Sequence, residues 1–172
     1  MMKRRVMLAA AVFALAVAAW PIAGADRAGD RVLVLGFRSD FLDDIQDRCF
    51  REMLIRRFHE NGFAVVPVME IESLLQTERP PDIRNVDARI AAELCAELGA
   101  GFAICGKINR VLKKGKGGAD SYEYVCEAAV FSMREQTFGR TTVSGPFVGD
   151  MEQFLNGLAT EVAARLKSRI RA

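Results

Sequence analysis

The stretch Lys113–Ser121, KKGKGGADS, sets three lysines and three glycines ahead of a serine, a composition that could cradle a phosphate. A phosphate loop of the G-x-x-x-x-G-K-[ST] type needs a lysine directly after its second glycine, a buried strand before it and a helix after it. Here no lysine follows at that spacing, and a tyrosine- and valine-rich segment comes next. No helix N-terminus would then face a bound anion. Two strand patterns flanking a glycine-rich polar segment read as a hairpin with a solvated tip; a contact of its lysines with an acidic partner stays open.

Other reactive side chains are scattered. His59 is the only histidine. It falls where a cation opposes the negative end of a helix, not beside a nucleophile and a carboxylate. Asp40, Asp43, Asp44 and Asp47 crowd a helix start without the spacing of a calcium loop, and read as helix-start chemistry on a solvated face. Cys49, Cys95, Cys105 and Cys126 show no C-x-x-C or Cys/His spacing, so no metal site is assigned. Ser144 has no base nearby in sequence, and nucleophile-elbow, dinucleotide-binding and zinc-helix motifs are missing. These absences point away from an enzyme. No catalytic, cofactor-binding or metal-ligating residue is assigned, and no cofactor is expected.

The elements that would carry these residues follow from periodicity. Arg31–Phe37 is a strand whose run Val32–Leu35 is apolar on both faces, as in a covered parallel strand. Asp40–Asn61 reads as a helix with Asp40 as N-cap, an apolar stripe from Leu42 to Leu54 and Gly62 as its stop. Phe63–Val68 reads as a second strand, pushed to an edge by Pro67. A short helix over Met69–Gln76, a loop at Pro80–Pro81 and a helix over Asp87–Leu98 come next. Strands follow at Gly101–Ile108, at Tyr122–Met133 and within Gly139–Phe147. The last helix runs from Met151 to Ile170, capped by Asp150.

This order predicts an α/β fold with a mixed five-stranded sheet of order 2-1-3-4-5. The first three strands are parallel, the last three form an antiparallel meander, and helices cover both faces. Cys49 and Cys95 would then lie on opposite sides of the sheet. The hairpin register that aligns Ile104 and Ile108 with Tyr124, Cys126, Ala128 and Val130 puts Cys105 on the other face. Free buried thiols and at least one disulfide both stay open, since compartment and geometry pull in opposite directions.

Residues 1–25 read as a signal peptide: Lys3, Arg4 and Arg5, an apolar run from Val6 to Trp20, and Ala23 and Ala25 around Gly24. The run is short for a bilayer span of about 20 residues, which favours cleavage after Ala25 over a retained anchor. Residues 26–30 are a polar leader and 31–172 a single domain. The expected location is the periplasm, with no stable membrane span after cleavage and, since no cysteine follows the cut, no lipid anchor. Of 24 Lys+Arg, three lie in the signal, which leaves 21 against 22 Asp+Glu. A chain so balanced has no net field to attract nucleic acid.

Four stretches together, RVLVLGF, RRFHENGFAVVP, AELGAGFAICGKI and MREQTFGR, resemble the amino-terminal domain of TolB and the related fold of the curli secretion protein CsgG. Leu98, Gly99, Ala100 and Gly106 fit the family's Leu-Gly-Ala…Gly pattern before a hairpin. The likeness spans nearly all of Arg31–Arg171, and its motifs are structural. It implies a non-enzymatic part of an envelope assembly. No segment matches TolB's propeller, a lipid-anchor cysteine or a pore-forming insertion, so those properties do not carry over.

The expectation is therefore an exported adaptor or accessory subunit that binds envelope proteins. Its candidate partner edge is Thr141, Thr142 and Val143, where small polar residues leave a strand open to pairing. The competing expectation is a small-ligand or enzyme site at the carboxyl ends of the parallel strands, around Gly36, Phe37, Arg38, Ser39 and Gly106. Partner identity, pathway and oligomeric state are not written in the sequence.

Overall fold

The computed structural model describes residues 31–76, 82–114, 120–147 and 149–171. The signal peptide, the polar leader, the Pro80–Pro81 loop and the tip of the glycine-rich hairpin lie outside the described residues.

The elements run β1 (Val32–Ser39), α1 (Asp44–Glu60), α2 (Val68–Leu75), α3 (Ala88–Glu97), β2 (Phe102–Lys114), β3 (Asp120–Ser132), β4 (Thr137–Pro146) and α4 (Met151–Ile170). They build one four-stranded sheet in the order β1-β2-β3-β4. β1 is parallel to β2, while β2–β3 and β3–β4 are antiparallel. β2 and β3 pair without a break from Phe102↔Ser132 out to Lys114↔Asp120, so the glycine-rich segment does join the two strands of a hairpin.

The expected five-stranded sheet of order 2-1-3-4-5 is thus corrected to four strands. Phe63–Val68 is not a strand. It touches β1 through a single parallel bridge, Val32↔Val65, with Val66 N donating to Val32 O at 2.9 Å. Pro67 has no amide hydrogen to extend the pairing, and it takes the N-cap position of α2 instead.

The start of the first helix is also corrected. Asp43, not Asp40, is the N-cap: its carboxylate accepts from Gln46 N at 2.8 Å, and Gln46 Oε1 accepts from Asp43 N at 3.2 Å. This reciprocal pair satisfies two helix-end donors. Asp40 instead accepts from Arg110 N, tying the entry loop to β2. Asp150 caps α4 as expected, and Asp87, the first residue of the expected helix, is the N-cap of α3.

Helices cover both faces. α1 and α4 pack on the face of Val34, Ile104, Ile108, Cys126, Ala128, Val130 and Val143. α2 and α3 pack on the face of Leu33, Leu35, Ala103, Cys105 and Phe131. Cys126 and Cys105 therefore occupy opposite faces, as the register argument requires. All four thiols are free; Cys95, Cys105 and Cys126 are buried.

Candidate functional site

The carboxyl end of β1 is built by a bulge. Val34 pairs with Ile104 but Phe37 pairs with Gly106, so three steps on β1 match two on β2. The extra residue shifts the side-chain alternation by one. Phe37 turns into the α1 core, where its ring meets Phe50 edge-on at 5.0 Å. Arg38 turns to the other face.

Gly106 is dictated by that ring. A Cβ there would lie 2.5 Å from Phe37 Cε1 and 2.4 Å from Glu127 O. Ser39 is used locally, its hydroxyl accepting from Phe41 N and Leu42 N. Of the five residues of the competing ligand site, the Phe37 side chain is buried on the other face, while Arg38 and Gly106 line an open groove of about 290 Å³, shared with Arg84, Lys107, Glu127 and Arg140. Its floor holds Cys105, Ala129 and Phe138.

Charge in this groove is unevenly compensated. Lys107 and Glu127 pair across the strands at 3.4 Å. Arg84 reaches Asp44 at 2.8 Å and Asp47 at 3.6 Å. Arg38 donates to the neutral Asn85 Oδ1 at 3.5 Å. No described carboxylate pairs with Arg38 or Arg140.

Behind the groove the aspartate cluster departs from expectation. Asp47 does not sit on a solvated face; it is 7 % exposed. Its Oδ1 accepts from Phe37 N at 3.0 Å, which pins the bulge to α1. Burial pushes its carboxyl above the usual range, against the opposing pull of that bond and of Arg84 and Arg51. Arg51, one turn on, is 6 % exposed, and its Nε and Nη1 have no acceptor. The i,i+4 spacing of Asp47 and Arg51 was legible in sequence, but their burial was not.

Burial drives the thiols of Cys95 and Cys105 up to about 11 and that of Cys126 to about 12, so none is a thiolate at neutral pH. His59 lies in the last turn of α1, exposed to solvent. Among the described residues no group of His, Cys, Asp and Glu could hold a metal ion.

β4 is an outer strand of the sheet, paired only with β3. Val143 is buried under α4, Thr142 is exposed and Thr141 is half-buried. The Thr142 carbonyl is already occupied: Arg165 of α4 donates to it at 2.7 Å and to Glu161 at 2.7 Å. The edge that looks uncharged in sequence is thus guarded from the neighbouring helix. At the hairpin's far end, Lys113 pairs with Glu123.

No protein-family model matches the chain, and no curated protein matches it in sequence. Solved structures share its fold. One is the hypothetical protein CT253 of Chlamydia trachomatis, at 14% identity over 81% of this chain and 97% of that one, with a TM-score of 0.51. The C-terminal domain of LpoB from Salmonella enterica aligns at 15% identity over 69% and 84%, TM-score 0.51. Lipoprotein GNA1162 of Neisseria meningitidis aligns at 14% over 83% and 96%, TM-score 0.50. At such identity the likeness concerns the fold.

Proposed function

We propose that this chain is an exported, non-enzymatic adaptor or accessory subunit of a bacterial envelope assembly, working in the periplasm after removal of residues 1–25. The observation that carries the reading is an outer strand, β4, beside a half-covered sheet face lined by charged side chains, with the protonated Cys105 thiol at its floor. Such a surface suits recognition of another protein chain better than turnover of a substrate. The fold shared with a chain described as a lipoprotein and with the LpoB domain supports the envelope setting, as does the resemblance to TolB and CsgG. Among the described residues no helix is long and apolar enough to cross a membrane, which is compatible with release after cleavage.

Within this reading Thr141–Val143 is the contact edge, and Arg165 is its guard. A partner strand would replace the Arg165 bond to Thr142 O with main-chain pairing. The test is capture of proteins from the native envelope fraction by the mature chain, with cross-link mapping. Capture of a specific protein cross-linked near β4, and lost in Thr142→Lys, is expected, because a charge on an edge opposes strand pairing. Saturable small-molecule binding with no captured protein would overturn the adaptor reading; cross-links confined to the lysine tip would overturn the edge.

A further inference from the structure

The groove on the half-covered face holds a charge pattern that neither the fold nor the β4 edge requires. Its central pair, Lys107 and Glu127, neutralises itself at 3.4 Å. Arg84 is engaged by Asp44 and Asp47. Arg38 on β1 and Arg140 on β4 remain at opposite rims with no carboxylate partner among the described residues. Between them lie the apolar side chains of Cys105 and Ala129, with Phe138 beyond Arg140 at the end of the groove. These two exposed guanidiniums have no charge partner among the described residues, Arg38 having only the long bond to the neutral Asn85. They are, however, well suited to holding carboxylates, which Arg binds in a planar, two-pronged geometry.

The size of the groove narrows the occupant. At about 290 Å³ it lies at the lower end of the roughly 300–1,000 Å³ of small-molecule pockets, and it is open to solvent along the sheet, which suits an extended chain. Arg38 and Arg140 sit three strands apart and two residues out of line, about 16 Å at the backbone. In an extended peptide rising about 3.3 Å per residue, acidic residues four positions apart share one side and span about 13 Å, which the long arginine side chains can meet from both rims. An apolar residue midway between them, on the same side, would rest on Cys105 and Ala129.

We infer that this groove docks an acidic, extended segment of a protein partner, with one carboxylate on Arg38 and one on Arg140. The inference rests on the adaptor reading and adds the partner's chemistry. The two rim charges set on-rate and register, while the apolar floor favours a segment that is not uniformly charged.

The test uses the ¹⁵N-labelled mature chain titrated with an acetylated Glu-Ser-Leu-Ser-Glu peptide, whose two Glu and central Leu share one side when extended, followed by amide shifts. Expected are shifts around Arg38, Lys107, Ala129 and Arg140. They should weaken at least about tenfold for the peptide with Gln in place of Glu, for Arg38→Glu with Arg140→Glu, and in 1 M NaCl, where the screening length falls to about 3 Å. No shifts at millimolar peptide, or shifts indifferent to the double variant, would overturn the inference. Circular dichroism of the double variant confirms that it is folded. Envelope capture separates the two ideas. A partner retained equally by wild type and double variant overturns the groove and leaves the adaptor; a wild-type chain that captures no protein overturns the adaptor.

Discussion

One face of the sheet lies under α1 and α4, helices of 17 and 20 residues; the other lies under α2 and α3, of eight and ten. At 1.5 Å per residue the first pair extends about 25–30 Å and the second about 12–15 Å. β2 and β3, of 13 residues each, run to roughly 43 Å. The long pair covers inward residues of all four strands, from Val34 on β1 to Val143 on β4. The short pair's core takes in Leu33, Leu35, Ala103, Cys105 and Phe131, with Ala129 and Phe138 only half-buried at its margin. Beyond it stand Lys107, Glu127 and Arg140, all exposed. Where helix cover ends, burial can no longer stabilise apolar side chains, and the same strands change to charged ones. One face is covered along its length, and the other is covered over part of it and leaves the charged groove open.

The sharpest way to break this contrast is to remove one ring from each face. Phe50→Ala, in the covered core, should cost about 3–5 kcal/mol, and Phe138→Ala, half-buried on the open face, about 1–2. Urea denaturation of both variants measures the difference; equal losses would mean that the two faces are equally packed.

Next in size is the pin between α1 and the bulge. Asp47→Ala removes the acceptor of Phe37 N and leaves Arg51 and Arg84 without their nearest buried carboxylate, for a loss of about 3 kcal/mol. Asp47→Asn, which can still accept from Phe37 N, should lose less. The pH dependence has a definite sign. Burial raises the folded carboxyl above 3.8, so the folded chain holds this proton more tightly than the unfolded one. The favourable contribution is complete below pH 3.8 and is lost as pH rises through the raised value. The stability of wild type relative to Asp47→Asn should therefore fall over that rise and stay level above it, as urea midpoints measured from pH 3.5 to 7 would report.

Two glycines separate crowding from openness. Gly106→Ala meets Glu127 O and the Phe37 ring, and should cost about 1–3 kcal/mol. Gly157→Ala, inside α4 with nothing near its Cβ, should stabilise by about 0.5–1 kcal/mol. Thermal unfolding of the pair should move in opposite directions. The smallest effect belongs to the groove rims: Arg38→Ala and Arg140→Ala should each change stability by no more than about 0.5 kcal/mol. A larger loss would make those arginines part of the scaffold and weaken their assignment to recognition.

Periodicity and end chemistry alone set much of this protein. The stripes of α3 and α4, the cap at Asp150, the parallel-then-antiparallel pairing and the split of Cys105 from Cys126 are local or period-two information, which a linear sequence carries; in α1 the expected stripe is only partly kept, since Ile45 is 74% exposed while Asp47 and Arg51 are buried. Three features needed the folded chain. Phe63–Val68 has the composition of a strand, but Pro67 and the start of α2 leave it one bridge, because a strand requires partners along its length. Asp47 reads as surface until the bulge delivers Phe37 N to it. The groove gathers Arg38, Arg84, Lys107 and Arg140 from four separate segments, and Arg165 reaches Thr142 from 23 residues away. Periodicity tells which side of its own element a residue occupies; what stands opposite, and whether water reaches it, is decided only when the elements pack.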